Sequence, residues 1–504
     1  MKTLYRASRV YTLGHPAMGE WLLVDERHVE RVGAGAPPQA DRVVDLPGAT
    51  VIPGFIDTHV HLSGTGLSAV GIPVERARSA EELLGLVAEE VTHNPSRIFA
   101  QGFDESQWDK PELPTLNELD DIADVPVILV RADGHISLAN SAALRESQAQ
   151  QDRGVEMGTD GLPTGVVAQE ANSRLQRWFH ESLTAHDLRE LQLEAAAVAA
   201  SRGVTCVQEM AIPAWSGRGD IEVLLEHRAQ LPVDVVPYVA DMDIPFVIDA
   251  GLETIGGDFF LDGSLGARTA AVSEPYVDAA GTGVLYRDDD ELAEFFHNAH
   301  LAGLQVGAHA IGDAAIEQVI RVWERVYRTL DSRERRHFRA RRHRIEHFEM
   351  PSSNQIERAA ALGLAISVQP AFDAEWGSPG ALYDRRLGWD RAVRMNPFAT
   401  LLSRGLEVGA GSDSPITPLD PMYVIWSLET HHDAIQRMTR EQAIRLCTIG
   451  SARLARLDDK KGILQPGAQA DFAAYDADPL TEPDIRELRP ILTVSRGREV
   501  YAAQ

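Results

Sequence analysis

The chain has 504 residues, of which 44% are hydrophobic and 24% are charged, and its formal net charge at pH 7 is −27. This length exceeds that of one ordinary compact core and predicts either a large barrel or two domains. The acidic balance argues against nucleic acids and anionic membranes as partners, because both carry charge of the same sign.

Cysteine content and apolar segments bear on the cellular compartment. Cys206 and Cys447 are the only cysteines, so a disulfide framework is excluded and a reducing compartment is expected. The first residues lack the apolar core of a signal peptide, and no run of about 18 uncharged apolar residues predicts a membrane span. We therefore expect a cytoplasmic protein without a membrane partner.

The two chain ends have similar patterns. Residues 1–52 contain short alternating segments, such as HVERVG and RVVDLPGATVIPG, that end in glycine or proline. Residues 455–504 have the same character, and the two termini of a domain often lie close together. The sequence predicts one small β-sandwich domain formed by both ends.

Residues 53–454 alternate short apolar runs with longer segments of helical periodicity. The predicted strands are 55–61, 203–210, 233–240, 257–264, 304–310, 343–349, 364–370 and 406–413, and the predicted helices include 188–202, 289–303 and 314–330. This alternation favours an α/β fold with a parallel sheet, and eight such strands favour a (β/α)8 TIM-type barrel. An open doubly wound sheet is the alternative, but no glycine-rich dinucleotide fingerprint follows a strand.

Residues 63–187 do not follow this alternation. They contain a strand-like segment of their own, VPVILVRADGH, and several helix-like segments. We predict that they form an insertion packed over the barrel mouth, where it shapes the substrate pocket.

Polar side chains end several of the predicted strands. His59 and His61 lie two residues apart in GFIDTHVHL, so their side chains point to the same side of a strand. The pair alone is weak evidence, because His-X-His arises by chance in a chain with 17 histidines. His309, His347 and Asp413 end three further strands, and in a parallel barrel these ends meet at one mouth. Imidazoles and a carboxylate gathered there predict a divalent metal site, for Zn²⁺ first and Fe²⁺ or Mn²⁺ as alternatives.

The motifs around these residues resemble the metal-dependent amidohydrolase superfamily, and within it amidohydrolase family 3, the branch that includes N-substituted formamide deformylases. The resemblance rests on GFIDTHVHL, PVILVRADGHISLANSAAL, DGLPTGVV, DGSLGARTA, HAIGD, RIEHFE and GSDSP, and on TIGSARLARLDDKKGILQPGAQADFAAYDADPL near the C-terminus. It covers nearly the whole chain and implies a metal-dependent hydrolase.

The sequence departs from many members of that superfamily at the fourth strand. Those members bridge two metal ions with a carboxylated lysine, whereas this chain has no lysine between Lys110 and Lys460. Asp258 stands at the matching position. We favour a single ion; the alternative is two ions bridged by a carboxylate, from Asp258 or from Glu209 at the end of the second strand. Pairing with an arginine is the other role open to both carboxylates.

The mechanism implied by the resemblance assigns roles to further residues. The metal ion would make hydroxide available near pH 7, and Asp413 would act as general base and then as general acid. His135, in RADGH, is the candidate that helps to stabilise the oxyanion, with a structural role as the alternative. Arg131 meets a substrate carboxylate or pairs with an internal aspartate, and we favour the aspartate. Gln369 ends the seventh strand and is a candidate pocket residue.

Four other residues are predicted to have packing or structural roles. Trp376 and Tyr383 follow Gln369 in a long loop, where packing is favoured over a pocket role. His431 and His432 lie in a helix-like segment, and adjacent helical residues do not face one ligand, so we expect both to be structural.

These features predict hydrolysis of a carbon–nitrogen bond other than a peptide bond, in a small-molecule substrate. Deamination of a heterocycle at the same site is one alternative. A non-catalytic binding protein on a retired enzyme scaffold is another, but retention of all five ligand-type residues argues against it. A homodimer is favoured for a protein of this size.

Overall fold

Strands from both chain ends form one sheet in the computed structural model, which describes residues 1–503. The sheet has seven strands in the order Arg498–Ala502, Pro490–Ser495, Phe472–Tyr475, Arg42–Pro53, Lys2–Tyr11, Met18–Asp25 and His28–Gly33. The two ends join where Phe472–Tyr475 pairs antiparallel with Arg42–Pro53. A second facing layer is not shown for residues 1–503, so the sandwich remains a prediction.

The central part of the chain forms two parallel sheets. One has three strands in the order Asp234–Val239, Val204–Ala211 and Phe55–Val60, and the other has five in the order Thr254–Ile255, Gln305–Ala310, Arg344–His347, Ala365–Val368 and Glu407–Ala410. Every pairing within these sheets is parallel. This arrangement confirms the predicted mixed α/β fold.

Backbone hydrogen bonds connect the edges of the two parallel sheets. On one side, Asp413 N–H donates to the His59 carbonyl and His61 N–H donates to the Ser414 carbonyl, both at 2.8 Å. On the other side, Gly256 N–H donates to the Val239 carbonyl at 2.7 Å. Residues that follow the first and last parallel strands are thereby brought side by side.

The strand predicted at 257–264 is wrong. The strand in this region is Thr254–Ile255, and the later residues contribute a single bridge from Phe260 to His309. Gly256 and Gly257 have φ values of +79° and +74°, outside the extended region that a strand requires. A Cβ on Gly256 would lie 2.1 Å from the Gly307 carbonyl oxygen, so the turn also depends on the missing side chain.

The helices agree with the periodic segments of the sequence. They span Leu62–Val70, Ala80–Val91, Leu116–Ile122, Ser141–Ser147, Gln169–His180, Ala185–Ser201, Pro213–Ser216, Arg218–His227, Ile244–Asp249, Asp289–Leu301, Asp313–Thr329, Ser332–Arg341, Ser353–Leu362, Pro370–Trp376, Leu382–Leu387, Trp389–Ala392, Phe398–Ser403, Pro421–Thr430, Arg440–Arg445 and Ser451–Leu454. In Asp313–Thr329 the buried residues Ile316, Val319, Ile320 and Trp323 recur at three- and four-residue spacing, which gives the helix one apolar face against the sheet. Within residues 1–503, none of these helices is both long and apolar enough to cross a bilayer.

Residues 63–187 contain a further five-stranded sheet. Its order is Ile98–Phe103, Val127–Arg131, Ile136–Ala139, Pro163–Ala168 and Val155–Met157. Buried apolar residues such as Leu83, Phe103 and Leu129 form a core of their own beside this sheet. Helix Gln169–His180 directly follows Pro163–Ala168, the last strand of this sheet along the chain. The chain then returns to the parallel sheets.

Lys461 joins the terminal sheet to the parallel sheets. Its ammonium lies 2.5 Å from both Asp234 Oδ2 and Asp471 Oδ2, and the residue is 4% exposed. Asp234 begins a parallel strand and Asp471 precedes the terminal strand Phe472–Tyr475. A buried cation between two carboxylates is stabilising only while every charge keeps its partner.

Replacing Lys461 should therefore destabilise the protein. We expect Lys461→Met to lower the free energy of unfolding by about 3–5 kcal/mol, because the buried Asp471 would lose its cation and the partly exposed Asp234 would keep only Arg496, at 3.3 Å. The thermal unfolding midpoint measures this effect. Lys460→Met is the matched control, since Lys460 is exposed and should change the midpoint little. Equal midpoints for the two variants would contradict the assigned role.

Candidate metal centre

The predicted ligands meet at the carboxyl ends of the parallel strands. His59 lies in strand Phe55–Val60 with His61 directly after it, His309 lies in Gln305–Ala310, and His347 ends Arg344–His347. Asp413 follows strand Glu407–Ala410 by three residues. Because the strands are parallel, all five side chains lie at the same end of the strands.

One group of possible ligands consists of His59, His61 and Asp413. Asp413 Oδ1 lies 3.0 Å from His61 Nε2 and 3.4 Å from His59 Nε2. One ligand atom from each residue lies within 4.8 Å of the others, a spacing that suits a single ion.

Asp258 lies among all four histidines. Its Oδ1 is 2.8 Å from His309 Nδ1 and 3.4 Å from His347 Nε2, and its Oδ2 is 3.8 Å from His59 Nε2 and 3.7 Å from His61 Nε2. His59, Asp258 and His347 form a second group with ligand atoms within 4.8 Å. Asp258, which stands at the position of the missing lysine, thus lies near His59 and His61 as well as near His309 and His347.

Hydrogen bonds set the orientation of the first two histidines. His59 Nδ1 lies 3.1 Å from Glu346 Oε2, and His61 Nδ1 lies 2.8 Å from the Met210 carbonyl. Because both partners accept, each Nδ1 donates a hydrogen bond, which leaves Nε2 as the ring atom that can bind a ligand.

Glu346 is itself held by Arg344. The guanidinium donates to both carboxylate oxygens, at 2.5 and 2.8 Å, and to the Thr58 carbonyl at 2.9 Å. Burial opposes ionisation of Glu346, but Arg344 and His59 outweigh it and lower its pKa to about 2. Glu346 is therefore a carboxylate that holds the His59 ring.

The residues fit a divalent cation. His59 Nε2 and His347 Nδ1 are buried and have no hydrogen-bond partner within residues 1–503. Burial opposes protonation of His59, but Asp413 and Asp258 outweigh it and raise the pKa of the ring. The carboxylates that favour a proton at Nε2 also favour a metal ion there, because both compete for the same lone pair. Neutral imidazoles with carboxylates form the donor set typical of Zn²⁺.

Two of the candidate ligands have a strained backbone. His347 and Asp413 have φ values of +69° and +57°, in the left-handed region that residues other than glycine rarely adopt. The Asp413 conformation is held by its N–H bond to the His59 carbonyl. Such strain is typical of residues that a site must point in one direction.

Two cavities reach the centre. The wide cavity, of about 830 Å³, lies against helix Gln169–His180 and is lined by residues that include Asn172, Arg174 and Tyr286. The small chamber, of about 50 Å³, is lined by Asp413, Glu349, Tyr383 and Trp376 together with other residues. His135, Trp215, Asp258 and Phe260 line both cavities.

His135 lies where the wide cavity and the small chamber meet. Its ring centroid is 6.3 Å from that of His309 and packs against Trp215 at 5.6 Å and Phe260 at 5.4 Å. Burial lowers the pKa of His135 to about 4, although Asp133 opposes the shift. The ring is therefore neutral at pH 7 and able to donate one N–H.

Arg131 contacts three carboxylates. It lies 2.7 Å from Glu105, 2.8 Å from Asp133 and 3.4 Å from Asp104, and it is 2% exposed. Asp133 also accepts from Ser264 at 2.7 Å. The geometry matches the favoured internal pairing of Arg131.

Glu209 and Gln369 lie outside the ligand groups. Glu209 accepts a hydrogen bond from Leu62 N–H at 2.6 Å, and burial with Asp220 nearby raises its pKa to about 8. Gln369 is buried with both side-chain amide atoms unpaired, and it lines neither the wide cavity nor the small chamber.

Two expectations about aromatic and histidine residues need correction. Trp376 and Tyr383 line the small chamber as well as packing in the core. His431 and His432 are not helical, because helix Pro421–Thr430 ends before them. Both rings contact Asp373 and also bond backbone groups, so no ring nitrogen of the pair is free and a structural role is favoured.

Glu346 and Glu349 are site residues that the sequence analysis missed. In RIEH, Arg344 and Glu346 lie two residues apart, so their side chains are on the same side of the strand. His347 follows Glu346 directly. That spacing was the available signal for Glu346. Glu349 follows the strand, and the sequence offered no comparable signal for its side-chain position.

His59 should be required for metal binding. We expect His59→Ala to lose most of its bound metal, because two of the ligand groups share this side chain. Elemental analysis of the purified protein measures the content per chain. His337→Ala is the control, since that histidine is nearly half exposed and remote from the centre. Full occupancy in His59→Ala would argue against the site.

Loss of the Glu346 carboxylate should weaken metal binding without removing a ligand. We expect Glu346→Gln to bind metal about 10–100-fold more weakly, because the partner that orients His59 loses its charge. Competition against a chelator of known affinity measures the change. Glu357→Gln, on the surface, is the control and should match wild type.

The family of the chain follows from comparison with known proteins. A model described as the amidohydrolase family matches residues 42–501. The YtcJ protein of Bacillus subtilis (strain 168) is 28% identical, and the alignment spans 99% of each chain. An N-substituted formamide deformylase of Arthrobacter pascens is 24% identical over 92% of this chain and 91% of the relative.

Solved structures agree with this assignment. The crystal structure of a metal-dependent hydrolase from Pyrococcus horikoshii OT3 superposes with a TM-score of 0.77 at 26% identity, covering 97% of this chain and all of that one. These findings confirm the resemblance noted in the sequence. The protein is a metal-dependent hydrolase and belongs to the amidohydrolase family.

Proposed function

We propose that the protein hydrolyses carbon–nitrogen bonds other than peptide bonds in a small molecule, of the amide or N-substituted formamide type. The convergence of His59, His61 and Asp413, with an unpaired buried Nε2 on His59, carries this proposal. The name of the Arthrobacter pascens relative supports the type of bond.

The scaffold we propose is a closed eight-stranded TIM-type barrel within residues 53–454. The backbone bonds between Asp413 and His59 and between Gly256 and Val239 support closure on both sides. Residues 63–187 form the insertion over its mouth, and residues 1–52 and 455–504 form the small terminal domain.

The ion we propose is Zn²⁺, with one ion favoured over two. His59, His61 and Asp413 would hold it, with Asp258, His309 and His347 as the further candidate ligands. Their contacts with Asp258 support this carboxylate as a ligand, or as the bridge if a second ion binds. Glu209 has less support, because its carboxylate is bonded to Leu62 N–H.

Asp413 and His135 perform the proton chemistry in this proposal. When bound, a divalent ion lowers the pKa of water and polarises a carbonyl oxygen. Asp413 accepts a proton from the attacking water and delivers it to the leaving nitrogen. Neutral His135 donates its N–H to the carbonyl oxygen and stabilises the charge that develops there. Arg131 stabilises the wall of the small chamber through its ion pairs and takes no direct part in the reaction.

The type of bond is tested with a panel of substrates. The metal-loaded protein is incubated with primary amides, N-substituted formamides and amino-heterocycles, and released amine or ammonia is measured. Release from amides that stops in metal-free protein supports the proposal. Release from amino-heterocycles alone would replace it with deamination.

The role of Asp413 is tested by substitution. On any amide that is hydrolysed, we expect Asp413→Asn to lower kcat by about 10²–10⁴-fold, because proton transfer through this carboxylate is lost. The assay is run with saturating metal, and bound metal is measured in parallel. Asp459→Asn, at an exposed position, is the control. Wild-type kcat in metal-loaded Asp413→Asn would contradict the role.

A further inference from the structure

The peptide group that joins Gly134 to His135 is hydrogen-bonded at both of its ends. The Gly134 carbonyl accepts from Asn172 Nδ2 at 2.9 Å and from Gln176 Nε2 at 3.0 Å. The N–H of the same peptide belongs to His135 and donates to Asp133 Oδ1 at 3.2 Å. Because a peptide group is planar, bonds at its two ends fix its plane and thereby restrict the direction of the His135 side chain.

The His135 ring has little else to orient it. Among residues 1–503 the hydrogen bond of this histidine is that of its backbone N–H, and neither ring nitrogen has a partner. The ring packs against Trp215 and Phe260 at centroid distances of 5.6 and 5.4 Å. Such packing limits where the ring lies but supplies no hydrogen-bond acceptor that would set the direction of its N–H. That direction therefore depends on the backbone, and so on the bonds to the Gly134 carbonyl.

Asn172 and Gln176 are buried on one face of helix Gln169–His180. They lie four residues apart, so one helical turn puts both amides beside the same carbonyl, and they are 2% and 4% exposed. Asn172 is itself oriented, because its Oδ1 accepts from Ser137 Oγ at 2.6 Å. Each end of the Asn172 amide thus meets a complementary partner.

The helix is anchored independently of these two amides. Its Leu175 and Phe179 belong to a buried apolar cluster with Ile128 and Val130 of the neighbouring strand. One donor is enough to satisfy a buried carbonyl, so the second donor adds restraint rather than satisfaction. Loss of an amide should therefore release the peptide group while the helix stays in place.

We infer that Asn172 and Gln176 are positioning residues, which hold the Gly134 carbonyl so that the His135 N–H is directed at the substrate carbonyl oxygen. The inference rests on the proposed function, in which His135 stabilises the charge on that oxygen. This charge develops in the transition state, so a misplaced ring lowers kcat and leaves KM nearly unchanged. Gln176 lines neither the wide cavity nor the small chamber, so it acts through His135 and not on the substrate.

A double-mutant cycle on a hydrolysed amide tests the inference. With saturating metal, we expect Gln176→Met to lower kcat about three- to tenfold with KM within about twofold of wild type, because one donor is lost while side-chain volume is kept. In a His135→Gln background the same substitution should change kcat less than about twofold, since the group through which it acts is gone. Equal losses in the two backgrounds would overturn the inference, because a purely structural effect does not depend on His135.

The matched control is Gln39→Met, at an exposed position in the terminal sheet region, which should keep the kcat of wild type. Joint substitution by Asn172→Ala and Gln176→Met removes both donors and should lower kcat about 30-fold or more. Gln176→Met alone carries the test if Asn172→Ala does not fold. Wild-type kcat in folded Gln176→Met would overturn the inference.

The orientation of the His135 ring is also measured without turnover, by NMR of protein labelled with ¹³C in the histidine rings. The His135 signal is identified by its absence from His135→Gln. We expect Gln176→Met to shift this signal and the joint variant to shift it further, whereas the signal of the exposed His93 stays in place. An unmoved His135 signal in folded Gln176→Met would contradict the hold on the ring.

The two measurements separate this inference from the proposed function. A shifted His135 signal in a protein that hydrolyses no amide would support the hold on the ring and refute the hydrolytic proposal. Amide hydrolysis in which Gln176→Met changes neither kcat nor the His135 signal would support the hydrolytic proposal and refute the positioning role.

Discussion

The hydrogen bond from Asp413 N–H to the His59 carbonyl joins two segments that lie far apart along the chain. It fixes the end of strand Phe55–Val60 beside the residues that follow strand Glu407–Ala410. His59, His61 and Asp413 approach one another only because this edge is closed. The left-handed backbone of Asp413 is the local cost of that contact, and the neighbouring Ser414 carbonyl adds a second bond to His61 N–H.

Electrostatics at the centre depend on which carboxylates have a cation. Glu346 has Arg344, and Asp133 has Arg131, so these side chains hold their neighbours in place. Asp258 and Asp413 have only histidines near them. The uneven distribution leaves the centre with the anionic charge that a divalent ion would neutralise. The chain thus separates the carboxylates that build the site from those that would serve an ion.

Much of this arrangement was predictable from the sequence. Two-residue spacing put His59 and His61 on one side of a strand, and the periodic apolar residues of Asp313–Thr329 predicted its helix. The strand at 257–264 was not predictable from its apolar residues, because tight turning at Gly256 and Gly257 decides the conformation. For Arg131 the sequence favoured an internal aspartate, but its contacts with Glu105 and Asp104, 26 and 27 residues earlier, and the loop position of Glu349 are not carried by single-sequence patterns.

The ligand-bearing side chains stand on or directly beside the strands of the parallel sheets, whereas helix Gln169–His180 supplies much of the wall of the wide cavity. The candidate metal ligands and much of the wall of the wide cavity are therefore encoded in different stretches of the gene. Substitutions or length changes within residues 63–187 can alter the shape of the wide cavity while leaving the ligand-bearing strands unchanged. Such a division gives a lineage of enzymes freedom to diversify its chemistry of recognition while the reaction centre is inherited intact.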